Sequence, residues 1–499
     1  MAPNGSSDHT ILLADDTPIL YRSGTERIVT QLKRYPDNPV ISQDHPWEIA
    51  IGWSSIYRNP ETGKYQLWYQ GYAKDQVTKR TQDHPVCYAE SDDGIHFEKP
   101  MFDLFPIKGS PRNNIVMLGN GGYSYRYGCW VVVDPHPVDT SRRYKMSYFD
   151  FSGEGEDENP GLHVAFSPDG IHWTKHPKAP LSLMGHGRGS NAPTLPFSDD
   201  ASNHWLRPLT ASDAVDCIYD PIQKVYAIYG KMWIDGPDGN MYWKHGMGRI
   251  ESKDFINWSQ PELLMAPDDK DPPSVEFHAV PVFQYQGYYF SLLQILNRAT
   301  GGGVIDLELA ISKNGKSWQR PFQNQFVLER GKGDVFDSGS IFTNASPVIL
   351  NDEIRFYYGA YSGGATNPAG RGKLTGIGMA SIPKDRFTGI RPLPLSDQPT
   401  LRQPLEHRGQ ITLKPIDLTK IQTITLNADA SEGRIQVELL DTSGYRVRGY
   451  SQDDAIVLSG DSLHHSIRWK NHTLNNLPEG AYMLRIHLDH ATAYAITLR

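Results

Sequence analysis

The chain has 499 residues, of which 38% are hydrophobic and 11% aromatic, and its formal net charge is −8. This length fits two folded domains, and the acidic balance argues against nucleic acid or an anionic membrane surface as a partner. The three cysteines form no even framework, and no apolar run approaches the length of a membrane-spanning helix. The first seven residues lack the apolar core of a signal peptide, so the sequence leaves the compartment open, either intracellular or secreted after processing.

A short turn recurs five times along the chain, after an alternating strand, and ends each time on an aromatic residue. The copies begin 60 to 85 residues apart, at Ser91, Ser167, Ser252, Ser312 and Ser381. A recurrence at this scale is typical of a radial array of four-stranded blades. The sequence therefore predicts an all-β chain that contains a five-bladed β-propeller.

The strands of each blade can be placed around these turns. The innermost strands, which line the propeller axis, are predicted at Gly52–Arg58, Cys129–Asp134, Ala214–Asp220, Ala279–Tyr285 and Ser346–Leu350. In each blade the outermost strand is expected to follow the recurrent turn, which for blade five means a strand after Phe387.

After the fifth blade the pattern changes to short, closely spaced strands, which predict a small β-sandwich. We expect the propeller at residues 1–395, a proline-rich linker at 396–410 and the sandwich at 411–499. The segment Thr10–Leu20 is expected to add a strand to one of the sheets.

The segments that lead into the five innermost strands should converge at one end of the axis. They are His45–Glu48, Tyr123–Tyr127, Ser212–Asp216, Ser274–His278 and Gly333–Ser340, and four of them carry an acid. Convergent carboxylates are what glycosidic bond cleavage needs, one protonated and one ionised. The candidate catalytic residues are therefore Glu48, Asp216, Glu276 and Asp337. Taken singly, an acid before a strand is more often a turn or cap residue, and it is the agreement of four segments that favours a site.

Aromatic, basic and polar residues in the same region are candidates for binding the substrate. They are Trp47, Tyr125, Arg126, His186, Arg188, Asp213, His278, Ser338 and Arg371. Because arginine binds carboxylate or sulfate with two parallel hydrogen bonds, an anionic oligosaccharide is one option for the substrate. The alternative is that these basic residues neutralise the acids of the channel or lie in solvent.

We expect no cofactor and no metal ligands, although a structural or channel calcium ion stays open. His278 and His186 could form a metal site beside Glu276, but a histidine hydrogen-bonded within a sheet explains the same pattern.

The order of propeller and sandwich, with the pair Trp47-Glu48 before the first inner strand, resembles the invertase/levanase and arabinanase/xylosidase superfamily of five-bladed glycoside hydrolases. The segments Arg434–Asp441 and Gly449–Ser451 are similar to the sandwich appended to many such propellers. By position, the resemblance places Glu48 near the family's blade-one carboxylate, Asp216 near its later blade acids and Glu276 near its acid donor. The invertase signatures Trp-x-Asn-Asp-Pro-Asn-Gly, Arg-Asp-Pro and Glu-Cys are absent, so fructan is not implied as the substrate.

The leading hypothesis is a glycoside hydrolase with Glu276 as general acid, Glu48 or Asp216 as base or nucleophile, and Asp337 as a modulator of a neighbouring pKa or a ligand of a sugar hydroxyl. A lyase that acts on uronic-acid-containing oligosaccharides through His, Tyr and Arg side chains is an alternative. A glycan-binding propeller without catalysis is a third hypothesis.

Overall fold

The computed structural model describes residues 8–73, 84–107, 110–119, 127–134, 137–152, 159–183, 213–238, 243–299, 302–365, 374–394 and 407–499. The described chain is almost entirely β-structure, with 3-10 turns at Thr140–Arg142 and Leu474–Asn476. Within these residues, no helix is long and apolar enough to cross a membrane. The chain divides into two compact units, one of residues 32–349 and 355–381, the other of residues 1–31, 350–354 and 382–499.

The first unit is a five-bladed propeller, as the sequence predicts. Blades one, two and three are separate antiparallel sheets. Blade one contains Ala50–Arg58, Tyr65–Tyr72, Val86–Ser91 and Ile115–Met117. Blade two contains Tyr127–Val133, Tyr144–Ser152, Asn159–Ser167, Thr174–Lys175 and Ser182–Leu183. Blade three contains Asp216–Asp220, Val225–Ile234, Lys244–Ser252 and Glu262–Met265.

Blades four and five share one sheet because the parallel pair of Ile305 and Ser340 joins them. Blade four contains Val275–Phe277, Val282–Tyr285, Tyr288–Asn297, Val304–Ser312, Trp318–Gln319 and Phe326–Leu328. Blade five contains Ser340–Thr343, Val348–Ile349, Glu353–Tyr361 and Thr375–Pro383, and its outer edge is formed by Lys33–Arg34 and Ile41–Ser42.

The prediction for the outermost strand of blade five was wrong. Two short strands from the start of the chain, Lys33–Arg34 and Ile41–Ser42, pair with the edge of Thr375–Pro383. The strand after Phe387 therefore does not pair with that edge. That strand, Thr388–Pro392, pairs with Thr25–Val29 in the second unit. An N-terminal strand on the last blade joins the two ends of the ring by hydrogen bonds and covers the edge of Thr375–Pro383.

The recurrent turn has the same construction in four blades and holds neighbouring blades together. In blade two the Ser167 hydroxyl accepts the Gly170 N–H at 2.9 Å, while Asp169 Oδ1 accepts the N–H groups of Ile171 and His172, both at 2.8 Å. Gly170 has φ +83°, and a Cβ there would lie 2.6 Å from Trp68 Cζ2, so only glycine fits. The turn glycines accept side-chain hydrogen bonds across blades, from Trp68 to Gly170, Tyr229 to Gly315 and Tyr357 to Gly94. The last of these bonds connects blade five to blade one.

The second unit is a small β-sandwich built from one ten-stranded sheet. Its strands are His9–Leu12, Ile19–Ser23, Thr25–Val29, Thr388–Pro392, Arg408–Leu413, Ile416–Asp417, Ile424–Leu440, Leu458–Ser466, Ala481–Asp489 and Thr492–Leu498. The long strand Ile424–Leu440 pairs with Thr492–Leu498 in its first half and Ala481–Asp489 in its second. Alternating apolar residues of these strands, among them Leu426, Val437 and Ile486, form one buried core.

The division of the chain differs from the expected boundaries because both flanks of the propeller belong to the sandwich. His9–Leu12 pairs with Thr492–Leu498, and Ile19–Ser23 pairs with Arg408–Leu413. The segment expected to add a strand therefore supplies two. Most of the expected linker at 396–410 lies outside the described residues.

Candidate functional site

Glu48 and Trp47 lie inside blade one and are held by their neighbours. The Glu48 side chain is fully buried, with Oε2 accepting hydrogen bonds from Lys99 Nζ at 2.8 Å and the Asp44 N–H at 3.1 Å. Its Oε1 accepts the Tyr69 hydroxyl. Trp47 is also buried and donates its Nε1–H to Asn114 Oδ1 at 2.8 Å. Both side chains therefore have a structural task within blade one.

Asp337 and Ser338 lie in blade five and are likewise engaged locally. Asp337 is buried, and its Oδ2 accepts Arg34 Nε at 2.8 Å and the Tyr358 hydroxyl at 3.1 Å. The Ser338 hydroxyl donates to the Val335 carbonyl at 2.9 Å. Because Arg34 belongs to the strand that closes the ring, Asp337 stabilises that closure.

Glu276 lies on the first strand of blade four and binds a histidine of blade three. Its Oε2 accepts the backbone N–H of His245 at 3.0 Å and His245 Nδ1 at 2.8 Å, and its Oε1 accepts Arg298 Nε. Since Nδ1 of His245 carries the donated proton, its buried Nε2 has a free lone pair and no hydrogen-bond partner among the described residues. Burial, together with the nearby charges of Lys231 and Arg298, holds the pKa of His245 well below its usual range.

Asp213 and His278 lie close to this pair. Asp213 forms an ion pair with Lys231 at 2.5 Å. His278 is buried and donates Nδ1–H to Gln294 Oε1 at 3.2 Å; burial and the charge of Lys231 lower its pKa to about 3. We refer to the following six residues as the blade 3–4 cluster: Asp213, Lys231, His245, Glu276, His278 and Arg298.

Asp216 differs from the other three candidate acids because no cation among the described residues binds it. It is buried at the start of the innermost strand of blade three, near the backbone N–H groups of Ala345 and Cys217. Its Oδ2 has no partner in the described chain. Burial raises the pKa of Asp216 well above its usual range, which favours the protonated form of the carboxyl.

A group of aromatic side chains that the sequence analysis missed brings several inner strands together. Trp53, at a β-bulge in blade one with φ +43°, stacks on His278 with ring centroids 5.5 Å apart. Its ring also contacts Trp130 of blade two and Phe342 of blade five, at 5.6 and 4.7 Å. A tryptophan between Gly52 and Ser54 in an inner strand is the signal that could have pointed to this position, because a bulge re-aims a side chain.

The structure therefore brings together only part of the predicted site. Asp213, Glu276 and His278 lie in the blade 3–4 cluster, whereas Glu48 and Asp337 are bound by other partners within blades one and five. Lys231, His245 and Arg298 were missed because they lie on or just after second and third strands, where the sequence gives no local signal. The remaining candidates, Tyr125, Arg126, His186, Arg188 and Arg371, lie outside the described residues.

No group of three or more His, Cys, Asp or Glu side chains in the described part of the chain is arranged to hold a metal ion. The blade 3–4 cluster contributes only its carboxylates and imidazoles as potential ligands, and Glu276 is already bound by Arg298 and His245.

No family profile and no curated protein matches the chain. Among solved structures it is similar to a "glycosyl hydrolase from Bacteroides ovatus", with 14% identity, 72% of this chain and 95% of that chain covered, and a TM-score of 0.42. A second, described by the phrase "The GH130 family of mannoside phosphorylases contains glycoside hydrolases that target beta-1,2 mannosidic linkages in Candida mannan", has 16% identity, coverage of 72% and 95%, and a TM-score of 0.44. A third is a "thermostable family-43 glycoside hydrolase" with 14% identity, coverage of 66% and 88%, and a TM-score of 0.40.

Glycoside hydrolases are thus named among the solved structures that this chain resembles, as the sequence resemblance led us to expect. At identities of 14–16% and TM-scores of 0.40–0.44, these likenesses assign no role to any residue of the site.

Proposed function

We propose that this protein is a carbohydrate-active enzyme that cleaves glycosidic bonds where the inner strands of blades three and four begin. One observation carries the proposal: Asp216 and Glu276 lie on the first strands of neighbouring blades, and their surroundings favour opposite protonation states. Burial without a cation favours protonated Asp216, while Arg298 and the Nδ1–H of His245 favour ionised Glu276. General acid and base catalysis on a glycosidic bond requires two carboxyl groups whose pKa values differ, so that one is protonated while the other is ionised.

The roles follow from those protonation states. Asp216 donates its proton to the leaving oxygen, and Glu276 either removes a proton from the attacking water or attacks the sugar directly. Glu276 was expected to be the acid from the sequence, but its ion pair with Arg298 stabilises the carboxylate and makes it the better base. Asp216 takes the acid role in its place.

The charges of the blade 3–4 cluster support a neutral substrate. Lys231 and Arg298 are balanced by Asp213 and Glu276, and both imidazoles are neutral at pH 7 because their pKa values are lowered. Among the six described residues of this cluster no surplus positive charge remains to attract a uronic acid, whereas the basic candidates of the lyase hypothesis, Arg126, His186 and Arg188, lie outside the described residues. We therefore infer a neutral oligosaccharide as the substrate class.

The test is a hydrolysis screen of neutral furanosides and pyranosides beside uronic-acid oligosaccharides, with reducing-sugar release and absorbance near 235 nm read together. Glu276→Gln should lower turnover about 100- to 10,000-fold, as expected for loss of a general base. Asp216→Asn should lose a similar factor on oligosaccharides but much less on a 4-nitrophenyl glycoside, whose leaving group needs no protonation. Glu48→Gln, a buried carboxylate of blade one, serves as the matched control and should keep its turnover per folded molecule.

Three results would contradict the proposal. Growth of absorbance near 235 nm would identify a lyase, because elimination leaves an unsaturated uronic acid. Saturable binding without turnover would identify a binding propeller. Equal losses in Asp216→Asn on both kinds of leaving group would remove Asp216 from the acid role.

A further inference from the structure

Trp243 is the exposed tryptophan among the residues that the structure describes. Of the ten tryptophans in the described residues it alone is exposed, with 40% of its surface accessible, whereas the others are buried or partly buried in the two units. Single exposed apolar residues are common on protein surfaces, so exposure alone assigns nothing. The position of Trp243 relative to Glu276 is what gives it a meaning.

Trp243 stands two residues before His245, the residue that binds Glu276. Its backbone N–H donates to the Ile234 carbonyl at 2.9 Å, so the hairpin between the second and third strands of blade three continues to this point. Side chains two residues apart in a paired strand share a face, and their Cα atoms are about 7 Å apart. By this alternation we expect the Trp243 side chain on the same face of the hairpin as His245, about 7 Å farther along the backbone.

The immediate surroundings hold the ring in place and leave surface free. A Cβ on Gly236 would lie 3.2 Å from Trp243 Cγ, so the absence of a side chain there allows the indole to pack close to the hairpin backbone. Lys244 Nζ lies over the indole ring, 4.6 Å from its centre, where it covers part of one face and can donate hydrogen bonds to hydroxyl groups at that edge. An exposed flat aromatic ring with a neighbouring donor suits the apolar face of a sugar with its equatorial hydroxyls.

We propose that Trp243 is the stacking platform of a distal sugar subsite, so that the protein prefers oligosaccharides over single glycosides. This inference rests on the proposed function, because Glu276 marks the place of bond cleavage from which the subsite is counted. A short aryl glycoside would not reach Trp243, whereas a longer chain would extend over it.

The experiment compares wild-type protein with Trp243→Ala, Trp243→Phe and Tyr219→Ala. Tyr219 is a matched control because it is equally exposed, at 41%, and lies toward the opposite end of blade three. Binding of neutral arabino-, xylo- and manno-oligosaccharides, from disaccharide to pentasaccharide, is measured by isothermal titration calorimetry, and KM and kcat are measured for those that are cleaved.

Wild-type protein should bind longer oligosaccharides more tightly, and Trp243→Ala should weaken the longer ones about five- to tenfold, the size of one lost aromatic contact. KM should rise with kcat unchanged, since a distal contact is equal in the ground and transition states. Trp243→Phe should restore most of the affinity, and Tyr219→Ala should match wild type. If the affinity of Trp243→Ala still rises with oligosaccharide length as in wild type, the stacking platform is overturned. In that case a loss of turnover in Glu276→Gln would still support the proposed function. Failure of every oligosaccharide to bind or react would overturn both.

Discussion

At the scale of single residues, Asp216 is the candidate acid whose surroundings are least favourable to a negative charge. Glu48, Glu276 and Asp337 each accept hydrogen bonds from a lysine or arginine, whereas Asp216 has only backbone donors and an unpartnered Oδ2 in the described chain. A buried group of this kind costs stability, and such a cost is tolerated most readily where function requires it.

The protonation of Asp216 can be tested through stability. Its pKa in the folded state is raised above the unfolded value of about 3.9. At pH 7 ionisation therefore favours the unfolded state, and below about pH 4 the group is mostly protonated in both states. Asp216→Asn, which has the same shape, should raise the denaturant midpoint at pH 7 and leave it nearly unchanged at about pH 3.5. The measurement is urea unfolding at both pH values.

The control for this comparison is Glu262→Gln, an exposed carboxylate of the same blade, which should change stability little at either pH. A gain in Asp216→Asn that is the same at both pH values would show that the gain does not come from the titration of Asp216. No gain at pH 7 would show that Asp216 is ionised in the folded protein. Either result would remove the basis of its acid role.

Sequence patterns selected the candidate acids, but they could not predict which residues bind those acids in the folded protein. The serine and aspartate of each turn, and the acids before the inner strands, are local features that a pattern reveals. The ion pairs that distinguish Glu276 from Glu48 come from Arg298 and Lys99, which are distant in sequence. Trp53 was missed because only its bulged backbone aims the ring at His278 and Phe342.

At the scale of elements, most inner strands and turns were predictable because each blade repeats them. In blade five the inner strand was expected at Ser346–Leu350, but the blade begins with Ser340–Thr343. The outer edge of blade five also differs, because two short strands of the N-terminal region replace the expected strand after Phe387. Strands of two residues carry no periodic signal, and their pairing joins segments more than 300 residues apart. The closure of the ring is therefore a property of the assembled fold.

Asp337→Asn tests this closure and the role of Asp337 together. The substitution weakens the contacts with Arg34 and Tyr358 across the closing strand, and it should destabilise the propeller by about 1–3 kcal/mol. Because Asp337 has no described contact with the blade 3–4 cluster, kcat should stay within about twofold of wild type. Urea unfolding and the hydrolysis assay measure the two effects. A large fall in kcat with unchanged stability would return Asp337 to the catalytic set.

At the scale of the whole molecule, both units contain carboxyl groups whose pKa lies below the ordinary value, so that they stay ionised at lower pH than usual. In the propeller, hydrogen bonds from turn backbone and side chains outweigh the effect of burial and lower the pKa of Asp169 and Asp254 to about 2. In the sandwich, burial raises the pKa of Glu438, but the opposing effect of His487, Arg446 and Arg485 is larger and brings this pKa to about 2. Each unit thus has its own source of acid sensitivity.

The sign of the effect follows from these shifts. A carboxyl with a lowered folded pKa stabilises the fold fully above its unfolded value, about 4 for these groups, and loses that contribution as the pH falls toward about 2. The contribution of these carboxylates to the unfolding free energy should therefore be nearly constant from about pH 5 to 7 and fall steeply between about pH 4 and 2. Hydrogen exchange along Ile424–Leu440, the strand that carries Glu438, reports on the sandwich separately from the propeller.

Glu438→Gln should be less protected than wild type in that strand at about pH 6 and equal to it near pH 2, because the lost contribution exists only while Glu438 is ionised. Asp453→Asn, an exposed acid of the same unit, is the control and should change little at either pH. Equal loss of protection at both pH values would mean that Glu438 acts through packing. In that case the sandwich would owe its acid sensitivity to other carboxylates, such as Asp489 with its partners Arg408 and Arg434.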